Sequence, residues 1–90
     1  MTTAIMIPSP LRQFTRGLHR VDTAATTTGD ALDDLATQFP SLRTHLYLDG
    51  GLRQFINVFV NSDNMRDLNG VATPISSRDT LFIIPSIAGG

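Results

Sequence analysis

The feature that most constrains the fold is one amphipathic helix that stands alone among strand-like segments. Residues 26–39 read TTTGDALDDLATQF, and their apolar side chains recur at i, i+3, i+4 and i+7, which is one face of an α-helix: Leu32, Leu35, Ala36 and Phe39. A threonine in the run 26–28 can cap the start of this helix, and Pro40 ends it. A helix with a single apolar face must bury that face against another layer, so the other segments have to supply a sheet.

Strand-like alternation before and after the helix can supply that sheet. Residues 3–7 form a short apolar segment closed by Pro8, and the alternating residues 18–23 predict its partner in a hairpin over the loop 11–17. The most regular alternation lies in residues 53–61, RQFINVFVN. One face of that strand is expected to be buried, and it consists of Ile56, Val58 and Val60.

Two later segments complete the predicted sheet. Met65–Arg66 indicates a short strand, and residues 80–84 form the last and most apolar strand after a turn at residues 76–79. Leu81 and Ile83 of the last strand are expected to face the core. The order of a hairpin, one helix and further strands predicts an α+β fold of the β-grasp (ubiquitin-like) kind, a mixed sheet with one main helix packed across one face. In that arrangement the first and last strands lie side by side at the centre of the sheet.

The amino-acid composition limits which cellular compartment and which classes of partner are expected. The chain has no cysteine, so disulfides and cysteine-bound metals are excluded. Its net charge of −1, without a run of basic residues, argues against a nucleic-acid partner. No apolar run approaches the ~20 residues that span a bilayer, and MTTAIMIP at residues 1–8 lacks the basic region of a signal peptide. A cytoplasmic protein without a membrane partner is therefore expected.

No catalytic or metal site is predicted. The sequence has no P-loop, GxSxG, HExxH or dinucleotide-binding motif. His19 and His45 are isolated, and they are interpreted as packing or surface residues rather than metal ligands. Asp33 and Asp34 point about 100° apart on a helix, so they predict a solvated face rather than a catalytic pair. All seven basic side chains are arginine, so a reactive acyl group on this chain would meet no lysine or cysteine of its own.

Large apolar side chains are predicted on the open face of the sheet. If the branched aliphatic face of the strand 53–61 packs against the helix, Phe55 and Phe59 look outward. The same alternation turns Phe82 and Ile84 outward on the last strand. Apolar groups collected on an open sheet face often mark a partner surface. The alternatives are that a loop covers them or that they are scattered surface residues.

The last ten residues, LFIIPSIAGG, join the final strand to a glycine pair. Pro85 lacks an N–H and is expected to end the sheet pairing, so the predicted domain spans residues 1–84 and residues 85–90 form a flexible tail. Six extended residues reach at most ~20 Å, which is enough to thread the chain end into a partner's active site. Residues without a Cβ fit a narrow channel, and the tail ends with Ala88, Gly89 and Gly90. The other interpretation is a frayed, sequence-tolerant chain end.

These residues resemble the ThiS/MoaD group of ubiquitin-like sulfur carriers. TLFIIPSIAGG at residues 80–90 resembles the strand, proline and diglycine tail of that family. Further similarity lies in TAIMIPSPLRQFTRG at 3–17, FINVFVN at 55–61 and GVAT at 70–73. The arrangement is most similar to the actinobacterial carriers of cysteine biosynthesis, with the small subunit of molybdopterin synthase and the thiamine-pathway carriers as alternatives. Ser86 stands where many members have a second proline.

The resemblance implies a carrier that is not itself an enzyme. An E1-like adenylyltransferase/sulfurtransferase would use ATP to activate Gly90, and the carrier itself would hold no cofactor. Sulfide or persulfide attack on the adenylate would then leave a thiocarboxylate on Gly90, with Ala88 and Gly89 in the enzyme channel. The residues expected to contact partners are Phe59, Phe82, Ile84, Pro85 and Ile87.

Similarity to the cysteine carriers implies two further partners. A PLP-dependent cysteine synthase would accept the sulfur, and a metalloprotease of the JAMM type would release cysteine. Two other classes of protein stay open. One is a ubiquitin-like modifier that is joined to lysines of other proteins, and the other is a non-covalent β-grasp interaction module with an idle tail.

Overall fold

The computed structural model describes residues 1–85, and its elements follow the predicted order. Within these residues the strands are β1 (Thr3–Met6), β2 (Arg20–Thr23), β3 (Tyr47–Leu48), β4 (Gly51–Leu52), β5 (Ile56–Val60), β6 (Asp63–Asn64) and β7 (Thr80–Pro85), and the α-helices are α1 (Thr28–Gln38) and α2 (Arg43–Leu46). Segments of 3-10 helix lie at Ser9–Phe14, Pro40–Leu42, Met65–Asp67 and Gly70–Ala72. No helix of this part of the chain is long and apolar enough to cross a membrane.

A mixed sheet forms one layer of the molecule. In the described part of the chain it has five strands in the order β2-β1-β7-β5-β6, with β3 and β4 forming a separate two-stranded hairpin. The first and last strands are parallel neighbours in the interior of the sheet, where Ile5 lies opposite Leu81. Every other pairing in the sheet is antiparallel in residues 1–85. The predicted β-grasp fold is confirmed.

Helix α1 forms the second layer and covers one face of the sheet. Thr27 caps it, because its hydroxyl oxygen accepts a hydrogen bond from the N–H of Asp30 at 3.2 Å. Asp30 also places a negative charge in the first turn, where the helix dipole favours it. The core between the layers combines one helix face with the inward residues of the strands, among them Ala31, Leu32, Leu35, Ala36, Ile5, Val21, Ile56, Val58, Val60, Leu81 and Ile83.

The start of α1 approaches the 3-10 helix Gly70–Ala72 closely at Gly29. A Cβ on Gly29 would lie 2.9 Å from the Cβ of Val71 and 3.0 Å from its carbonyl oxygen. Contacts this short are not tolerated without a shift of the backbone, so glycine is required by space at this position. Val71 itself stays 55% exposed on the helix side of the molecule.

The structure corrects three local expectations. Met65–Arg66 is not a strand: the short strand is β6, and Met65 begins a 3-10 helix with its side chain buried. Asn64 favours that helix, because its side-chain oxygen accepts a hydrogen bond from the N–H of Arg66. The expected loop after β1 is largely a 3-10 helix, Ser9–Phe14. Strand β7 continues through Pro85, one residue beyond the expected end.

A polar cluster around Asp79 holds the start of β7. The Asp79 carboxylate accepts hydrogen bonds from the side-chain amide of Asn61 at 2.9 Å and from the N–H of Ser76 at 2.8 Å. The amide oxygen of Asn61 in turn accepts the N–H of Thr80 at 3.0 Å. These hydrogen bonds stabilise the charged carboxylate, first the one from Asn61, and so they lower the pKa of Asp79.

Stability should therefore decrease at acid pH through Asp79. Because its pKa is lower in the folded chain, its contribution is complete above the unfolded pKa and is lost as the pH falls through the folded pKa. Urea unfolding should show Asp79→Asn less stable than wild type at neutral pH, with the difference shrinking between about pH 5 and about pH 2. Asp67→Asn is the control for charge alone. A difference between wild type and Asp79→Asn that stays constant over this range would contradict the assignment.

Candidate protein-docking site

The side of the sheet opposite α1 carries a cluster of large apolar side chains. Phe82 lies at its middle, because its register partners are Met6 on β1 and Phe59 on β5. Side chains in register on adjacent strands lie in contact distance of one another. Ile84 continues the cluster along β7 and is 47% exposed. We call Met6, Phe59, Phe82 and Ile84 the open-face patch.

Polar side chains border the open-face patch. On β2, next to Met6, Arg20 Nε lies 3.1 Å from Asp22 Oδ1, and both side chains are about half exposed. On β6, Asn64 is the register partner of Phe59. An apolar centre with a polar, hydrated rim is the usual anatomy of a protein–protein interface. An exposed ion pair of this kind adds little to stability, so the rim is available for recognition.

The structure brings three of the predicted contact residues together and places a fourth beside them. Phe59, Phe82 and Ile84 share the open face, as the alternation of their strands predicts. Pro85 follows Ile84 and pairs with Ile56 at the end of β7. The predicted residues Ile87, Ala88, Gly89 and Gly90 lie outside the described residues, as does most of the predicted tail.

Met6 was missed by the sequence analysis, although a signal for it existed. Ile5 and Ile7 are buried, so the alternation of β1 turns Met6 outward. Phe55 was wrongly grouped with Phe59. It precedes β5, it is 41% exposed, and it lines a separate groove beside Arg53, whose guanidinium carbon lies 5.8 Å from the centre of the Phe55 ring.

Two open grooves flank the end of β7. One has a volume of 410 Å³, lies between the 3-10 helix Ser9–Phe14 and α2, and is lined in part by Pro10, His45, Arg53, Phe55 and Pro85. The other has a volume of 320 Å³ and is lined in part by Met6, Pro8, Arg12, Phe82 and Ile84. The second groove is continuous with the open-face patch, since Met6, Phe82 and Ile84 belong to both.

The histidines take packing and surface positions, as predicted. The His45 ring stacks on Phe14, with ring centres 4.1 Å apart and an angle of 27° between the planes. This contact joins α2 to the 3-10 helix Ser9–Phe14. His19 is exposed beside β2. Within residues 1–85 no three His, Cys, Asp or Glu side chains are close enough to hold a metal ion.

Asp33 and Asp34 have separate surroundings. Asp33 Oδ1 lies 3.3 Å from Arg43 Nη1, on the surface. Asp34 accepts a hydrogen bond of 2.7 Å from the hydroxyl of Thr23. Burial of the Tyr47 side chain, and to a smaller extent the negative charge of the nearby Asp33, disfavour the ionised tyrosine and raise the pKa of Tyr47. Asp33 is thus exposed and paired with Arg43, whereas Asp34 is partly buried against Thr23.

Comparison with known proteins gives several matches that cover most or all of the chain. The model of the ThiS family matches residues 5–90. The "Sulfur carrier protein CysO" of Mycobacterium tuberculosis is 32% identical over 93 aligned residues, which cover 100% of both chains. The "Small archaeal modifier protein 3" of Haloferax volcanii is 35% identical over 71 residues, covering 79% of this chain and 76% of that protein. A chain of the BexX/CysO complex of Amycolatopsis orientalis superposes with a TM-score of 0.88 at 32% identity, covering 98% of this chain and 99% of its own.

Proposed function

The chain belongs to the ThiS family, and from that membership we propose that it is a sulfur carrier rather than an enzyme, with the sulfur held as a thiocarboxylate on Gly90. The activating partner is an E1-like adenylyltransferase/sulfurtransferase that uses ATP. The carrier contributes the docking surface and the reacting carboxylate, and it holds no cofactor of its own.

The proposed chemistry needs two steps at Gly90. In the first, the terminal carboxylate oxygen attacks the α-phosphorus of ATP, and pyrophosphate leaves. In the second, hydrosulfide attacks the acyl carbon, so a C–S bond forms while the C–O bond to AMP breaks. Loss of one proton leaves the thiocarboxylate, and no oxidant or reductant is consumed. Glycine suits this position, because the absence of a Cβ lets a nucleotide approach the backbone closely.

The observation that best supports this function is the continuity between the open-face patch and the end of β7. Ile84 belongs to the patch, and Pro85 lies next to it at the end of the strand. A partner seated on the patch is therefore adjacent to the point where residues 86–90 begin. Five extended residues reach at most ~18 Å, so an active site within that distance of the patch can receive Gly90.

We propose cysteine biosynthesis as the destination of the sulfur. The full-length similarity to the protein named CysO supports this choice. The thiocarboxylate sulfur would attack an activated serine derivative on a PLP-dependent cysteine synthase. A metalloprotease of the JAMM type would then hydrolyse the new bond between carrier and amino acid and release cysteine.

The decisive measurement is the intact mass of the protein after incubation with ATP, hydrosulfide and its activating enzyme. The protein should gain the mass difference between sulfur and oxygen, and the gain should disappear when ATP is omitted. Pyrophosphate release in the same mixture shows that the enzyme is active on this carrier. An unchanged mass while pyrophosphate is released would contradict thiocarboxylate formation.

A ubiquitin-like modifier is the second candidate, because one relative is named a small archaeal modifier protein. In that case Gly90 would form isopeptide bonds to lysines of other proteins. The chain has no lysine, so conjugates between copies through side chains cannot form. Mass spectrometry of proteins purified with a tagged carrier distinguishes the two functions, since only a modifier leaves its C-terminal residues attached to target lysines.

A further inference from the structure

Three arginines place their guanidinium groups on backbone carbonyl oxygens. Arg12 Nε donates to the carbonyl of Ile7 at 3.0 Å, and Arg53 Nε donates to that of Thr44 at 2.9 Å. Arg66 Nη2 donates to two carbonyl oxygens of the segment leading into β5, at 3.1 Å and 3.2 Å. A backbone carbonyl oxygen accepts a hydrogen bond but carries no net negative charge, so it does not neutralise the guanidinium group that donates to it.

The same three arginines surround the end of β7. Arg53 lines a groove together with Pro85, and Arg12 lines the other groove together with Ile84. Arg66 donates to the carbonyl of Ile56, whose register partner is Pro85. We call Arg12, Arg53 and Arg66 the arginine collar. The three residues are far apart in sequence, which is why the sequence shows no basic run.

No carboxylate of the described part of the chain forms an ion pair with the collar. The ion pairs found in residues 1–85 belong to other arginines, Arg20 with Asp22 and Arg43 with Asp33. Three of the eight acidic residues lie on α1, across the sheet from the patch, and Asp79 lies before the other end of β7. The others are spread over the remaining elements: Asp22 on β2, Asp49 before β4, Asp63 on β6 and Asp67 next to Arg66. The three collar charges therefore have no ion-pair partner among residues 1–85, although the net charge of the chain is −1.

From this geometry we propose that the arginine collar docks onto an acidic rim around the channel of the activating enzyme that admits residues 86–90. The inference rests on the proposed function and adds the kind of surface that the partner must present. The apolar patch alone fits many protein surfaces, whereas an unpaired positive ring beside it selects a channel mouth lined by carboxylates.

The collar acts chiefly on the encounter between the two proteins. Opposite charges separated by more than about 8 Å are screened at physiological ionic strength, so their attraction is felt most at low salt. Electrostatic steering raises association rates by about 10- to 1000-fold at low salt and leaves the chemical step unchanged. The expected signature is therefore a salt-dependent KM for the carrier with an unaltered kcat.

The test is ATP–pyrophosphate exchange by the activating enzyme, measured as a function of carrier and salt concentration. The triple variant Arg12→Gln, Arg53→Gln, Arg66→Gln should show kcat/KM reduced by about 10- to 100-fold at about 0.05 M salt, through KM. The two curves should converge near 0.5 M salt, where the Debye length is only about 4 Å. Arg78→Gln, in the turn before β7, is the control for loss of a single charge at the other end of that strand, and it should match wild type.

A second triple variant separates charge from structure. Replacing the three arginines by lysine keeps the charges but loses the planar guanidinium, so its salt dependence should remain close to that of wild type. Equal kcat/KM of wild type and the glutamine variant at all salt concentrations would overturn the proposed role of the arginine collar in docking. The same holds for a loss in the glutamine variant that does not depend on salt.

Two further outcomes are distinguishable. If wild type itself supports no exchange, the proposed function fails, and the collar's role fails with it. If exchange is unaffected in the glutamine variant but binding of a single-stranded RNA oligomer at physiological salt is lost, the collar is a nucleic-acid site and the acidic rim is wrong.

Discussion

Removal of Gly89 and Gly90 is expected to abolish sulfur loading completely without lowering the stability of the domain. The truncated chain would still end in a carboxylate, that of Ala88, but its reach would be shorter by ~7 Å at 3.3–3.6 Å per residue. A misplacement of about 1 Å at a reacting centre can already cost about 100-fold in rate, so no mass gain should be detectable. The sheet pairings of the described residues all lie within residues 3–85, so thermal unfolding should be unchanged.

The truncated protein also provides its own control for folding and docking. It should compete with wild type for the activating enzyme, because the open-face patch and the arginine collar are intact. Competition without mass gain assigns the defect to Gly89 and Gly90. A truncated protein that still acquires sulfur would place the reacting group elsewhere on the chain.

The second large effect is expected from a charge in the open-face patch. Ile84→Asp places a carboxylate where an apolar partner surface should bury the side chain, and removal of a contact that a partner fully buries can cost about 2 kcal/mol or more. The kcat/KM for exchange should fall at least about 30-fold, the equivalent of that free energy. Ile84 is 47% exposed, so the free energy of unfolding should change much less than for a core residue.

Val71→Asp is the matched control for this substitution. Val71 is also an exposed aliphatic residue, 55% exposed, but it lies beside the start of α1, on the other side of the molecule. It should therefore lose no exchange activity. Equal losses in Ile84→Asp and Val71→Asp would show that added negative charge, rather than the patch, decides the result, and full activity of Ile84→Asp would exclude the patch from docking.

The regular parts of the fold could be predicted because they depend on short-range periodicity. Ile56, Val58 and Val60 alternate with polar or aromatic neighbours, and the helix shows its face in four apolar positions, so both elements carry their own signal. The threonine cap and the turn before β7 follow from local side-chain chemistry in the same way. Most of the open-face patch could be predicted for the same reason, since the residues that face outward on a strand alternate with those that are buried.

Two of the missed features are local departures from the strand pattern, and a third depends on contacts between distant residues. An apolar residue such as Met65 is compatible with a strand, but here Asn64 caps a 3-10 helix that begins at Met65. The Met65 side chain is buried in the core from that helix. Phe55 fits the alternating pattern of β5, but it lies before the first residue of that strand. The carbonyl partners of Arg66 lie 10 and 12 residues away, and no local pattern predicts which backbone oxygens a long side chain will reach.

The position of β7 also decides how the molecule bears mechanical load. The strand is held on one side by β1, with register pairs from Ala4–Thr80 to Met6–Phe82, and on the other by β5, with register pairs from Val60–Leu81 to Ile56–Pro85. A partner that pulls on the chain beyond Pro85, along the axis of β7, therefore loads both ladders in shear at once. The hydrogen bonds share that force instead of opening one after another, as they would in a strand peeled from a sheet edge. The sheet is therefore expected to remain closed when the chain is pulled by its end.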